Sequence, residues 1–289
     1  MTTRRTFIKN TGILTAGVLL NKDMLIKKPV SKIGIQLYTV RDMIQNNVTG
    51  VINKIAAIGF KEVEVYGYTN ENKFWGMQPR AFKQLLDSAG LAAPSSHILF
   101  DKFFTTGMED EIKKVCGDAN IIGNEFITFP ILDEKYRKNL EDYKILSAKL
   151  NVAGKICKEA GLGFAYHNHD FEFIKMENGQ HGYDIILSNT DKDLVKLELD
   201  LYWATKAGQD PVQLFERDPG RFVMWHVKDM DKTTRSFTEV GTGTVDFKRI
   251  FEKQERSGLK HIFVEQDEIS GDVFKSIEQS FKYVKENLV

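Results

Sequence analysis

Two residues carry the first chemical reading of this chain, Asp200 and His226. Each closes an apolar run, at residues 195–200 (VKLELD) and 222–227 (FVMWHV), and Lys228 and Asp229 follow the second. A loop with a short helix separates the runs. Parallel α/β proteins place their chemistry at the strand ends on one edge of the sheet, so an acid and an imidazole closing neighbouring strands mark that edge. Carboxylate and imidazole together are ligand types for a divalent transition metal.

The other strand ends supply more groups of this kind: Gln36 and Tyr38, Glu64, His97, His167 and His169, and Glu265. Of the six histidines, His97, His167, His169 and His226 all fall there. A titratable group in a strand interior is costly unless paired, so this convergence is hard to attribute to packing. Asp200, His226 and Glu265 come from three successive strands and can reach one point, and His167 is the natural fourth ligand. Two imidazoles with two carboxylates favour one divalent ion of the Mn, Co, Fe or Zn type over Mg, which prefers oxygen. Lys228, two residues past His226, points the same way by strand alternation and could stabilise an alkoxide or enolate. His97, Gln36, Tyr38, Glu64 and His169 are read as contacts to substrate. Trp203 is read as a stacking face for a sugar, with core packing an equal alternative. His181 and His261 are read as structural.

The elements that must position these residues follow from periodicity. Short β-branched or apolar runs at 32–38, 61–67, 91–98, 124–130, 162–169, 195–200, 222–227 and 261–267 read as strands. Segments with three- and four-residue apolar spacing at 43–58, 78–89, 108–116, 136–160, 183–189, 246–257 and 272–287 read as helices, several followed by glycine. Alternating strands and helices demand a parallel sheet, and eight repeats favour a closed (β/α)8 TIM barrel. No linker divides residues 29–289, which read as one domain. GTGT at 241–244 lacks the spacing of a nucleotide loop.

At 289 residues and 42% hydrophobic content the chain can bury a large core. Lys plus Arg equal Asp plus Glu at 40 each, which argues against a nucleic-acid partner, since phosphate neutralisation needs a basic face. Cys116 and Cys157 have neither a metal-binding nor a disulfide-framework spacing and read as buried thiols.

Residues 1–28 read as an export signal and short linker. Arg4 and Arg5, followed by Phe7, Ile8 and Lys9 and then a short apolar run, resemble a twin-arginine signal. The expectation is an exported, periplasmic protein, held at the membrane by its N-terminus if the signal is not cleaved. Loops near 74–77 and 103–108 are placed either to cap the site or to reach a second subunit of a homo-oligomer.

Several stretches together make the chain similar to the xylose-isomerase-like barrel superfamily, the sugar phosphate isomerase and epimerase type. They are IGIQLYTVRD (33–42), GFKEVEVYG (59–67), SSH (95–97), LELDLYW (197–203), HVKD (226–229), VGTGTVDF (240–247) and FVEQD (263–267). The resemblance implies one divalent metal with ligands from the fifth to eighth strands. Many such epimerases use Glu, Asp, His and Glu, of which Asp200, His226 and Glu265 match the last three. His167 stands where those epimerases carry the first glutamate, and YHNH (166–169) is similar to the inosose-dehydratase-like branch. The expected reaction is metal-dependent isomerisation or epimerisation of an unphosphorylated sugar or keto-sugar through an enediolate. Glu265 would be the base, with His97, His167 or Lys228 moving the second proton. The alternatives are a dehydratase or lyase eliminating next to a keto group of a sugar or cyclitol, and a non-catalytic exported sugar-binding barrel.

Overall fold

The computed structural model describes residues 30–131, 133–176 and 179–289. The segment read as an export signal therefore lies outside the described residues. Eight parallel strands close a barrel: β1 (Gly34–Gln36), β2 (Glu62–Val65), β3 (Ala92–His97), β4 (Phe126–Phe129), β5 (Gly163–His167), β6 (Lys196–Asp200), β7 (Phe222–Val227) and β8 (His261–Val264). Each pairs with its neighbour in sequence, and β1 pairs with β8 to complete the ring. The (β/α)8 architecture expected from the alternating texture is the one observed.

Most of the core lies between the strands and the surrounding helices. A second, smaller cluster of Phe126, Ala165, Val223, Met224 and Phe263 is separate from it. Met224 and Phe263 stand two residues before His226 and Glu265, so by strand alternation they share their faces. This apolar layer is the floor on which the polar groups of the barrel mouth stand.

The strands are shorter than periodicity suggests, and the difference matters at both ends of the ring. The first strand stops at Gln36, because its side chain accepts a hydrogen bond from the Tyr38 N–H at 3.0 Å and turns the chain into a 3-10 segment, Leu37–Val40. Tyr38 is thus presented by a turn. β8 ends at Val264, which places Glu265 just past the strand, on the barrel rim. The helix expected over 43–58 breaks into Arg41–Ile44 and Val48–Ile58, with Asn47 capping the second through the Gly50 N–H at 2.8 Å. The helix expected over 246–257 divides into Phe247–Phe251 and Gln254–Ser257. A helix at Asp101–Thr106 and a small antiparallel ribbon pairing Asp229–Met230 with Phe237–Thr238 are not apparent from spacing.

The GTGT loop has a structural use. Backbone N–H groups of Gly241 and Gly243 donate to Asp229 Oδ2 at 2.9 and 3.0 Å, and that of Val245 to Oδ1 at 3.1 Å. Gly243 packs directly against the Asp229 carboxylate, where a Cβ would collide. Asp229 therefore anchors the loop behind Lys228 and faces away from the chemistry.

Candidate metal centre

The barrel brings Asp200, His226 and Glu265 together and sets His167 beside Asp200, with His167 also grouping with His97, Glu198 and His226. Asp200 sits opposite His226 across β6 and β7, and His167 sits opposite Glu198 across β5 and β6. The His226 Nδ1 atom is 2.7 Å from Glu265 Oε2 and 4.0 Å from Asp200 Oδ2. His167 Nε2 is 3.9 Å from the same Asp200 oxygen. Edges of about 3.4 Å are expected between ligands around a tetrahedral ion at metal–ligand distances of about 2.1 Å. Asp200, His226 and Glu265 offer ligand atoms within 4.8 Å of one another, all buried.

The Asp200 carboxylate is divided between two duties. Oδ1 accepts from the Trp203 N–H at 2.9 Å and so caps the helix Leu201–Lys206. Oδ2 is buried and makes no well-aligned hydrogen bond, with the Lys228 ammonium 3.1 Å away as its charge partner. Burial pushes the group up to about 6, against the pull of the Lys228 ammonium. A desolvated carboxylate oxygen pointing at two imidazoles fits a cation, and the donor set fits the borderline metals.

Both imidazoles are tied from behind. His167 Nδ1 lies 3.1 Å from Glu198 Oε2, leaving Nε2 on the Asp200 side. His226 Nε2 lies 2.6 Å from Glu64 Oε2 and 3.3 Å from Glu198 Oε2, leaving Nδ1 toward Glu265 and Asp200. A carboxylate behind each ring fixes its tautomer and orientation, the usual support of a metal-binding histidine. Burial and the cationic neighbours His226 and His97 hold His167 well below its ordinary value, hence neutral and able to ligate. Against its burial, Glu198 and Glu265 raise His226 in the metal-free chain, so that His226 would have to give up a proton to ligate.

Glu198 is the residue that spacing did not single out. It stands two positions before Asp200 on the same face of β6, fully buried, and also meets His97 Nε2 at 2.6 Å. The available signal was a carboxylate inside a strand of otherwise apolar character, a placement that requires partners. Gln36 and Glu64, read as substrate contacts, lie beneath the rim: Gln36 Nε2 donates to Glu64 Oε2 at 2.7 Å, and Ser95 Oγ donates to Glu64 Oε1 at 2.5 Å. Both are fully buried and occupied with each other and with His226, so they hold the histidines from below.

A cavity of about 550 Å3 opens above this layer. His97, His167, His169, Lys228, Glu265 and Asp267 line it, and so does Tyr38. Lys228 Nζ reaches Asp200 Oδ2 at 3.1 Å, Glu265 Oε2 at 2.7 Å and Asp267 Oδ1 at 3.0 Å. Burial opposes its charge, but Asp200, Glu265 and Asp267 outweigh it and keep the amine protonated. Against its own burial, Glu265 is held ionised, well below the usual carboxylate range, by Lys228 and His226. Burial opposes the charge on His97 as well, yet Glu64 and Glu198 raise it to about 9. His169 is pushed down to about 3 by burial and by Lys228, and its ring stacks on Phe171. Trp203 packs edge-on against Tyr202 and Phe237 and tilts onto His169, with Lys206 over its face at 4.6 Å. That packing sets it behind His169 and Lys228, which line the cavity, while Trp203 itself does not.

The profile of the xylose isomerase-like TIM barrel family matches residues 52–286. The chain belongs to that family. Within it, an inosose dehydratase of Clostridium beijerinckii is 26% identical over 280 residues, covering 84% of this chain and 90% of the relative. A crystal structure of a sugar phosphate isomerase/epimerase from Parabacteroides distasonis is 28% identical, with a TM-score of 0.79 over 91% of this chain and 97% of the other. A D-allulose 3-epimerase from Methylomonas sp. shares the fold at 14% identity and a TM-score of 0.66, covering 89% of this chain and 98% of that one.

Proposed function

We propose that the protein is a metal-dependent lyase that removes a proton next to the carbonyl of a sugar or cyclitol and expels a neighbouring oxygen. His167, Asp200, His226 and Glu265 would hold one divalent ion. When bound, such an ion would polarise a carbonyl and an adjacent hydroxyl and so acidify the hydrogen between them.

The observation that carries elimination is the 2.7 Å contact between Lys228 Nζ and Glu265 Oε2, both on the cavity wall. An anionic base and a cationic acid stand side by side there. Glu265 can take a carbon-bound proton while Lys228 gives one to the departing oxygen on the same face. Epimerisation needs a proton returned from the opposite face, and the fifth strand offers His167 there instead of a second carboxylate. The inosose dehydratases that resemble this chain support the same reading.

One arrangement favours isomerisation or epimerisation as the second reading. His97, from β3 across the mouth, lines the cavity and is cationic, so it could return the proton from the other side. The isomerase/epimerase relative of known structure supports this alternative.

The discriminating experiment incubates the metal-loaded protein with inososes and keto-sugars in deuterated water and follows products by NMR. A dehydrated keto product supports the lyase. A deuterated epimer or isomer with no loss of oxygen would replace it with the second reading. No exchange and no product with any substrate would leave the sugar-binding barrel.

A further inference from the structure

The cavity is larger and more lopsided than a single sugar ring requires. The groups able to do chemistry stand on or just after β5, β7 and β8, together with His97 of β3. The remainder runs out over the loops that follow β1 to β4, where Tyr38, Tyr68, Asn70, Leu99, Lys102 and Ile131 line it. Cavities of roughly 300–1,000 Å3 enclose drug-sized molecules, and a lone hexose is roughly half as large as those. A ring seated against Lys228 and Glu265 therefore leaves much of the 550 Å3 unfilled.

The chemistry of these loops identifies what would fill it. Leu99, Ile131 and Tyr38 are 50%, 42% and 40% exposed, and they are among the few large apolar side chains left open to solvent in the described residues. All three line this cavity. The Tyr38 ring is braced edge-on by Tyr66 at 5.3 Å and covered by the Arg41 guanidinium at 4.5 Å, so it is a fixed surface. Beside this apolar surface stand polar groups: Asn70, and Lys102 paired with Glu71 at 3.7 Å. An apolar platform edged with hydrogen-bonding groups matches a pyranose ring, which has a C–H face and a rim of hydroxyls.

We infer that the substrate is a two-ring carbohydrate, a disaccharide-sized glycoside whose reacting ring lies at Lys228 and Glu265 and whose second ring rests on Tyr38, Leu99 and Ile131. This rests on the reading of the site as one for carbohydrate. Binding can test it without turnover, so the outcome does not depend on whether the reaction is elimination or epimerisation.

The test measures affinity calorimetrically for glucose, galactose and mannose beside cellobiose, maltose, lactose and 4-O-β-mannobiose, with the full chain loaded with Mn. At least one disaccharide is expected to bind ten-fold or more tightly than its constituent monosaccharides. Leu99→Asp and Ile131→Asp, substitutions at exposed positions, are expected to cut that ratio at least five-fold. Monosaccharides binding as tightly as every disaccharide would overturn the second-ring subsite while leaving the carbohydrate reading intact. A ratio unmoved by both substitutions would overturn the assignment of these residues. No binding of any of these sugars, nor of the inososes and keto-sugars above, with metal bound stoichiometrically, would overturn both the subsite and the carbohydrate reading beneath it.

Discussion

Glu198 Oε2 lies 3.1 Å from His167 Nδ1, on the side of the ring away from Asp200. The same oxygen meets His97 and His226. One buried carboxylate thus orients two of the imidazoles proposed as ligands and a third on the cavity wall. Replacing it by glutamine keeps the size and removes the charge. Glu198→Gln is expected to weaken metal affinity about 10- to 100-fold with the fold retained. Competition with a coloured chelator measures the first and circular dichroism the second. Unchanged affinity would remove Glu198 from the support of the site.

Asp200 Oδ2 is buried, makes no hydrogen bond, and has the Lys228 ammonium 3.1 Å away as its cationic side-chain neighbour besides the imidazoles. The purified protein is expected to take up about one transition ion per chain and to gain thermal stability as that ion is added, about 2.7 kcal/mol at a hundred-fold excess over Kd. Asp200→Ala should abolish both effects. Elemental analysis beside thermal melts tests this. A variant that still binds stoichiometric metal would move the centre elsewhere.

Lys228 is the counter-charge for three carboxylates in the metal-free chain. Removing one partner from a buried ionic cluster leaves the rest uncompensated, at a cost of about 3 kcal/mol or more. Lys228→Met is therefore expected to lower metal-free stability by about that much, and a bound divalent ion should restore part of it. Urea unfolding with and without Mn checks both halves. A variant as stable as the parent without metal would mean that the carboxylates relax away from one another.

The opposite face of the barrel supplies a pH dependence of its own. His261 Nδ1 is 2.9 Å from Glu62 Oε2 at the foot of β8. Burial lowers the His261 pKa, but Glu62, with help from Glu125, raises it further, and the net shift is upward. A histidine with a raised folded pKa holds its proton more tightly when folded. Its contribution is complete below the unfolded value of about 6.5 and is lost as pH rises through the folded value. The stability difference between the parent and His261→Gln should accordingly be fully present below about pH 6.5 and shrink as the pH rises above it. A difference that stays constant or grows would show that the pair is neutral in the folded state.

Cys116 and Cys157 are both buried, with their sulfurs 3.9 Å apart and unlinked. Neither is expected to react with Ellman's reagent in the native protein, and both should react in guanidinium. Fast labelling under native conditions would show that the two helices carrying them part readily.

Much of this architecture is written locally. Apolar runs of five or six residues separated by helical spacing define eight strands, and their alternation requires a parallel barrel with its chemistry at the strand ends. Asp200, His226, Glu265 and His167 could be picked out for that reason. Local periodicity could not say which way each ring nitrogen faces or what stands behind it. His97 and Glu198 are 101 positions apart, and His226 and Glu64 are 162 apart, yet each pair is in hydrogen-bond contact. Those contacts exist because the barrel closes and turns alternate residues of non-adjacent strands toward one axis. Closure likewise turned Gln36 and Glu64 from rim groups into supports. It also brought Tyr38, Leu99 and Ile131, from three separate loops, to the wall of one cavity. Residue type and spacing determined which strands form and which titratable groups reach the mouth; the burial that only the closed ring creates decided which carboxylates face the candidate metal centre and which hold its histidines in place.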